Sequence, residues 1–151
     1  MKTITKSIFI NAPESKVWEV LTADEYTRQW YSVFSPGSHA QTDWEVGSKV
    51  VFSDNSGGGM IAKVMENKPG EILSLQYTGI LADGKEDYTS AEAAKYAGGK
   101  ESYLLFESNE GTQLDISSDM SEEMFETMSQ SWEKALEKLK ALAEENVDAL
   151  K

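Results

Sequence analysis

The chain has no cysteine and a single histidine, His39. Without thiols it can form no disulfide framework, no cysteine-ligated zinc, no iron–sulfur site and no thiolate nucleophile. One histidine also excludes a metal centre built from several histidines. We therefore expect no metal, and the residues imply no cofactor.

Basic residues and long apolar runs are scarce as well. The chain has 14 Lys and Arg and 26 Asp and Glu, which gives a formal charge of −12. Nucleic acids and anionic membrane surfaces are bound largely through Lys and Arg, so the charge argues against both as partners. No segment approaches the roughly 18 apolar residues of a transmembrane helix, and the N-terminus lacks the apolar stretch of a signal peptide. We expect a cytoplasmic protein.

The 151 residues amount to one domain of ordinary size. No internal repeat, low-complexity tract or Pro/Gly/Ser linker divides them. The sequence therefore predicts a single domain over residues 1–151.

Apolar periodicity predicts one strand first, then two short helices, then more strands. Residues 4–12 alternate as in a strand, Pro13 suits the first turn of a helix, and Asp24 to Tyr31 predicts a second short helix. Residues 83–100 remain ambiguous: Ser90 to Tyr96 fits either a short helix or a mobile loop. Further strands are predicted, separated by turn signals, at Lys49–Phe52, Met60–Glu66, Ile72–Leu81, Ser102–Ser108 and Thr112–Ser118.

The C-terminal region has the clearest pattern. Ser121 is a plausible helix cap, and apolar residues then recur three or four positions apart to the end of the chain. Such a helix needs a sheet to cover its apolar stripe. The predicted fold is α+β: a curved antiparallel sheet of six to seven strands grips the long C-terminal helix, and two short helices follow the first strand. The stripe consists of Met124, Met128, Trp132, Leu136, Leu139, Leu142 and Ala143.

Several phrases spaced along the chain have a familiar order. They are Ile10-Asn11-Ala12-Pro13-Glu14 with Val17-Trp18, Leu21-Thr22 with Trp30-Tyr31, Trp44-x-x-Gly47-Ser48, Gly59 with Glu66 and Pro69, Thr112-x-Leu114-x-Ile116, and Ser131-Trp132 with Leu136 and Leu139-Lys140. Together they resemble the START-like, helix-grip (SRPBCC) superfamily over essentially the whole chain. The narrower resemblance is to its bacterial branch related to the C-terminal domain of the activator of the heat-shock-90 chaperone ATPase.

This resemblance implies a cavity between the sheet and the long helix, which relatives use to hold apolar or amphipathic small molecules. The superfamily has no shared catalytic motif, so it implies no catalytic residue here. Two departures from it bear on the cavity. Many relatives carry a histidine where this chain has Ser118, and the segment Asp83 to Lys100 is longer than the usual connection.

Candidate ligand-binding residues come from three regions. The N-terminal half of the last helix offers flexible thioethers and aromatic rings, which suit an apolar pocket, and two tyrosines offer hydroxyl groups. For each residue, ordinary core packing is the alternative. The candidates are Trp30, Tyr31 and Phe34 near the expected mouth, Leu73, Leu75, Tyr77 and Tyr103 on strands, and Met124, Phe125, Met128 and Trp132 on the helix.

Other motifs carry little functional signal. His39 lies in a Gly-Ser-His-Ala context typical of a solvated loop, although its usual pKa would suit acid–base catalysis. Gly57-Gly58-Gly59 lacks the Lys and Ser/Thr of a phosphate loop and predicts a hairpin turn. The carboxylates Asp43, Asp54, Glu66, Asp115 and Asp119 are not distinguishable from solvated surface in so acidic a chain.

Three functions follow as hypotheses. The first is a non-catalytic binding module for a lipid, polyketide or aromatic ligand. The second is a protein that interacts with a chaperone, by analogy with the activator of the heat-shock-90 ATPase. The third is an enzyme of the cyclase or dehydratase kind, which would require polar groups deep in the pocket.

Overall fold

The computed structural model describes residues 1–145. Its order of elements confirms the α+β prediction and the two short helices after the first strand. The strands are β1 (Lys2–Ile10), β2 (His39–Gln41), β3 (Lys49–Ser53), β4 (Gly59–Lys68), β5 (Ile72–Ala82), β6 (Lys85–Asp87), β7 (Lys100–Ser108) and β8 (Gly111–Met120), and the helices are α1 (Glu14–Thr22), α2 (Asp24–Tyr31), α3 (Ala91–Ala94) and α4 (Glu122–Glu144).

All strand pairs are antiparallel and form one sheet in the order β1-β8-β7-β5-β4-β3-β2, with β6 paired to β5. The register between β4 and β5 shifts twice, between Ile61 and Ala62 and between Val64 and Glu66. Such irregularities bend a strand and increase its twist. They therefore help the sheet to curve around α4.

Helix α4 packs its C-terminal half into the core. Leu136, Leu139 and Leu142 are each at most 4% exposed, as the apolar stripe predicts. Ser121 is the N-cap residue, but among the described residues its side chain makes no capping hydrogen bond. A capping box needs Glu or Gln three residues later, where this chain has Met124. The predicted end of the helix, residues 146–151, lies outside the described residues.

The ambiguous segment contains both a strand and a helix. Residues Lys85–Asp87 add strand β6, and α3 follows with Ser90 as its N-cap, whose Oγ accepts a hydrogen bond from the Ala93 backbone N–H at 3.1 Å. The sheet thereby reaches eight strands, against the six or seven predicted. None of the described helices has the length and apolar character needed to cross a membrane.

Candidate functional site

A cavity of about 280 Å³ lies between the curved sheet and the first half of α4. Helix α2 and the residues after it supply part of its wall through Trp30, Tyr31 and Phe34. The Trp30 and Tyr31 rings meet edge to face with centroids 4.5 Å apart, and Phe34 meets Trp132 at 5.0 Å. The rings of this wall form an aromatic cluster, in which each ring restricts the orientation of its neighbour.

Helix α4 supplies Met124, Met128 and Trp132 to the same cavity. Trp132 is 3% exposed and Met124 is 38% exposed, so the cavity runs from the core to the surface along the helix. Phe125 also belongs to the predicted set. It lies outside the lining and stacks instead under Lys2, whose Nζ is 5.2 Å from the ring centroid, because it follows Met124 by one residue and so faces another side of the helix.

Strands β5 and β7 supply Tyr77 and Tyr103, whereas Leu73 and Leu75 lie outside the cavity lining. All four are on the inner face, but the two leucines are 1% exposed and belong to the core. Leu73 and Leu75 are paired with Tyr103 and Glu101 on β7, both of which line the cavity, yet the two leucine side chains pack into the core. Tyr77 lies two residues beyond Leu75 on β5 and reaches the cavity.

The most distinctive lining residue, Glu101, is not among the candidates that the sequence predicts. Its carboxylate accepts hydrogen bonds from two tyrosine hydroxyls: Oε1 from Tyr77 and Oε2 from Tyr103, the latter at 2.5 Å. Ser118, the register partner of Glu101 on β8, lines the cavity beside it. The floor of a cavity lined mainly by aromatic and methionine side chains is therefore a carboxylate held by two phenols.

Burial raises the pKa of Glu101, and the hydrogen bonds from Tyr103 and Tyr77 act against that change. The pKa values of Tyr77 and Tyr103 are well above the ordinary tyrosine value, first because burial disfavours the phenolate and then because Glu101 adds negative charge. Tyr31 is affected in the same way, by burial and then by Glu101. All three phenols therefore remain protonated donors at neutral pH.

A second acidic group, Asp54, lines the cavity near the β3–β4 hairpin. Its oxygens accept hydrogen bonds from the Ser35 and Ser56 hydroxyls, which lower its pKa. His39 is half-buried in β2 and also lines the cavity, so it is not the solvated loop residue that its context predicts. Its Nε2 lies 3.4 Å from Ser53 Oγ. Within residues 1–145, no three His, Asp or Glu side chains form a group suited to a metal ion.

The sequence did contain a signal for Glu101. Side chains two apart on a strand share a face, and Tyr103 and Leu105 are buried, so period two places Glu101 on the inner face. The predicted strand began at Ser102, and Glu101 was therefore left outside it. The strand in fact begins at Lys100.

Replacing Glu101 with glutamine is expected to change how stability depends on pH. Below the ordinary pKa of 4.5, the carboxyl is protonated in both the folded and the unfolded chain. Above its raised native pKa it is ionised in both, and the native state bears the cost of burying the charge. Wild-type stability should therefore fall, relative to Glu101→Gln, as the pH rises through this window. Each pH unit between the two pKa values is worth about 1.4 kcal/mol.

The measurement is the melting temperature of both proteins from pH 4 to pH 8. We expect a small difference at pH 4 that grows in favour of Glu101→Gln toward pH 8. A difference that stays constant or changes in the opposite direction would contradict the buried, ionisable state of Glu101.

Comparison with known proteins gives one family. The chain matches the family profile described as "Activator of Hsp90 ATPase homolog 1-like protein" over residues 11–144. No curated protein sequence matches significantly.

Solved structures share the fold at low identity. The Aha1 dimer from Colwellia psychrerythraea is 21% identical with a TM-score of 0.72, over 93% of this chain and 95% of that one. Protein MLL2253 from Mesorhizobium loti is 17% identical with a TM-score of 0.76, over 95% and 98%. DynU16, from the dynemicin biosynthetic locus, is 16% identical with a TM-score of 0.71; the match covers 95% of this chain but only 48% of DynU16. These likenesses establish the fold.

Proposed function

The chain belongs to the family of proteins like the activator of Hsp90 ATPase homolog 1, and with that premise we propose that it binds a small apolar or aromatic molecule in its cavity. The single observation that carries the proposal is the cavity itself, about 280 Å³ in volume and lined mainly by aromatic and methionine side chains. A close-packed core has few voids larger than a water molecule. A space of this size is therefore a feature that packing alone does not account for.

The volume limits the ligand. Ligand pockets usually measure roughly 300–1,000 Å³, and an apolar cavity of about 150 Å³ accommodates benzene. A cavity of about 280 Å³ suits a molecule of one or two rings better than a long lipid chain. Met60, Met120, Met124 and Met128 line it, and their flexible thioethers can adapt to an irregular ligand.

An enzyme of the cyclase or dehydratase kind is the second candidate, and Glu101 favours it. Such an enzyme needs a polar group deep in the pocket, and burial raises the pKa of the Glu101 carboxyl, which makes it a better proton donor than an exposed glutamate at the same pH. If a bound neutral compound is turned over, Glu101→Gln should abolish its turnover and retain its binding. If wild type and Glu101→Gln form the product at the same rate, this candidate is rejected.

A chaperone partner rests on the family description alone. Fold and family analogy is a weak basis for function, because one fold supports many functions. The test is the ATPase rate of the heat-shock-90 chaperone with and without this protein. An unchanged rate and no co-purification would reject it.

The experiment for ligand binding is a thermal-shift screen with fatty acids, sterols, flavonoids and polyketide-like aromatics. A ligand at 100 times its Kd adds about 2.7 kcal/mol, or roughly 5–10 °C in melting temperature for a domain of this size. Met128→Trp, which places a bulky indole in the cavity, should reduce that shift to less than about 2 °C. If no compound in the library raises the melting temperature, the proposal is contradicted.

Met65→Trp is the matched control. Met65 lies on β4, is 46% exposed and is not part of the cavity lining. The Met65→Trp variant should show the wild-type increase in melting temperature with ligand, because a tryptophan at this position does not enter the cavity. Equal shifts in the Met128→Trp and Met65→Trp variants would mean that the compounds bind elsewhere.

A further inference from the structure

We propose that the ligand of this cavity carries an ammonium group on its apolar body and that Glu101 is the anion that binds it. The inference rests on the proposed function, because it names the chemical class of molecule that the same cavity takes. Four features of the described residues support it: the charges that line the cavity, the free acceptors on its floor, the surrounding aromatic faces and the charge near its edge.

The lining contains two carboxylates, Glu101 and Asp54, and neither lysine nor arginine. Among residues 1–145, Glu101 has no ion-pair partner. Glu101 is partly buried. A charge withdrawn from water is costly unless it is paired, and the two neutral phenols supply hydrogen bonds without positive charge. A bound cation would supply the missing charge.

Acceptor sites remain free on the cavity floor. Each carboxylate oxygen of Glu101 accepts one tyrosine hydrogen bond and has room for a second. Ser118 Oγ, on a fully buried residue, faces Tyr77 yet has no hydrogen-bond partner of ordinary geometry in the described part of the chain. Ser118 and Glu101 are register partners on adjacent strands and lie side by side. An ammonium group, with three N–H donors, could satisfy both.

Aromatic rings surround the same space. Tyr31, Tyr77, Tyr103 and Trp132 all line the cavity, and cations are attracted to the faces of such rings. An aromatic cavity with a carboxylate on its floor offers a cation both kinds of interaction, while the rings also bury the ligand's apolar body. Neither an aromatic anion nor a fatty acid would gain from this arrangement.

Charge near the edge favours the same ligand. Asp54 already has hydrogen-bond donors of its own, which hold it in the ionised form, so it acts on an entering ligand through its charge. The whole chain carries a formal charge of −12. A field of one sign raises the local concentration of opposite ions and speeds their association.

The test compares three probes that share a naphthalene body: 1-naphthylmethylammonium, 1-naphthylmethanol and 1-naphthoate. Titration calorimetry measures the Kd of each for wild type and for Glu101→Gln at pH 7.5 and moderate salt. In wild type we expect the ammonium to bind at least about 10-fold more tightly than the alcohol, and the carboxylate to bind weakest. In Glu101→Gln we expect the ammonium and the alcohol to differ by less than about 3-fold.

The outcomes separate this inference from the proposed function. If the alcohol or the carboxylate binds wild type as well as the ammonium does, the cavity is a binding site but the inference is wrong. A preference for the ammonium that survives in Glu101→Gln assigns it to another group and also overturns the inference. If none of the probes binds, both proposals fail for this ligand class. If Glu101→Gln does not fold, Asp54→Asn replaces it: an ammonium preference that survives in Asp54→Asn assigns it to Glu101, the other carboxylate of the lining, and a preference that is lost there overturns the inference.

Discussion

Trp132→Ala should lower the free energy of unfolding by about 3–5 kcal/mol, the usual cost of removing a large buried aromatic side chain. The indole is 3% exposed and lies within 6.2 Å of Trp30, 5.0 Å of Phe34 and 6.1 Å of Tyr103, measured between ring centroids. It separates the cavity from the core beneath α4. Its loss would leave three aromatic rings without their common contact.

Chemical denaturation provides the measurement, and Phe106→Ala provides the control. Phe106 is an aromatic residue on β7 that is 47% exposed, so its removal should cost less than about 1 kcal/mol. Similar losses for Trp132→Ala and Phe106→Ala would mean that the aromatic cluster does not stabilise the fold as described.

The second large effect is expected for Gly59→Ala. A Cβ at this position would lie 1.7 Å from the carbonyl oxygen of Phe52 and 2.7 Å from its carbonyl carbon. Both are backbone atoms that no side-chain rotation can move, so the end of the β3–β4 hairpin must open where Gly59 pairs with Ser53. We expect a loss of about 3 kcal/mol or more in the free energy of unfolding, at the upper end of the usual cost of overpacking.

The neighbouring Gly58→Ala is a matched control. Its nearest contact would be the Ser56 hydroxyl at 3.3 Å, followed by the Leu81 carbonyl oxygen at 3.8 Å. A hydroxyl at the end of a side chain can move, so this variant should lose less than about 1 kcal/mol in the same denaturation experiment. Equal stability of the Gly58→Ala and Gly59→Ala variants would contradict the close backbone approach.

The sequence predicted the fold well because local and long-range signals agree in this chain. The apolar stripe of α4 specified which face is buried, and it also separated the half that carries Met124 and Met128 from the half that carries Leu136 and Leu139. The structure places the first pair along the cavity and the second in the core. The spacing of apolar residues along a helix defines its buried face, whichever element packs against that face.

The cavity was harder to predict, because its shape depends on register and curvature. Leu73, Leu75 and Tyr77 share one face of β5, and the sequence holds no indication of where core packing ends and the cavity begins. Of these three residues, the structure places only Tyr77 in the cavity lining. Phe125 lies outside the cavity lining for a related reason. It flanks the stripe of α4, and tertiary packing determines which neighbour covers a flanking residue.

Glu101 was missed because acidic residues are numerous and are almost always exposed. The chain has 26 Asp and Glu, and only its position on a strand distinguishes Glu101 from the others. That strand begins at Lys100, two residues before its predicted start at Ser102. The partners that hold it, Tyr77 and Tyr103, were candidates for the site as separate hydroxyl groups. Their convergence on one carboxylate requires three positions on two neighbouring strands.

The most direct test of the account is a methyl NMR titration of the protein labelled with ¹³C at its methionine methyl groups. The chain has six methionines; Met60, Met120, Met124 and Met128 line the cavity and Met65 is exposed outside it. With 1-naphthylmethanol or 1-naphthylmethylammonium added, the account predicts that the four lining methyl signals shift together in a saturable way while that of Met65 stays unchanged. Lining signals that do not move at saturating probe, or that move no more than that of Met65, would contradict the claim that this cavity is a ligand-binding site.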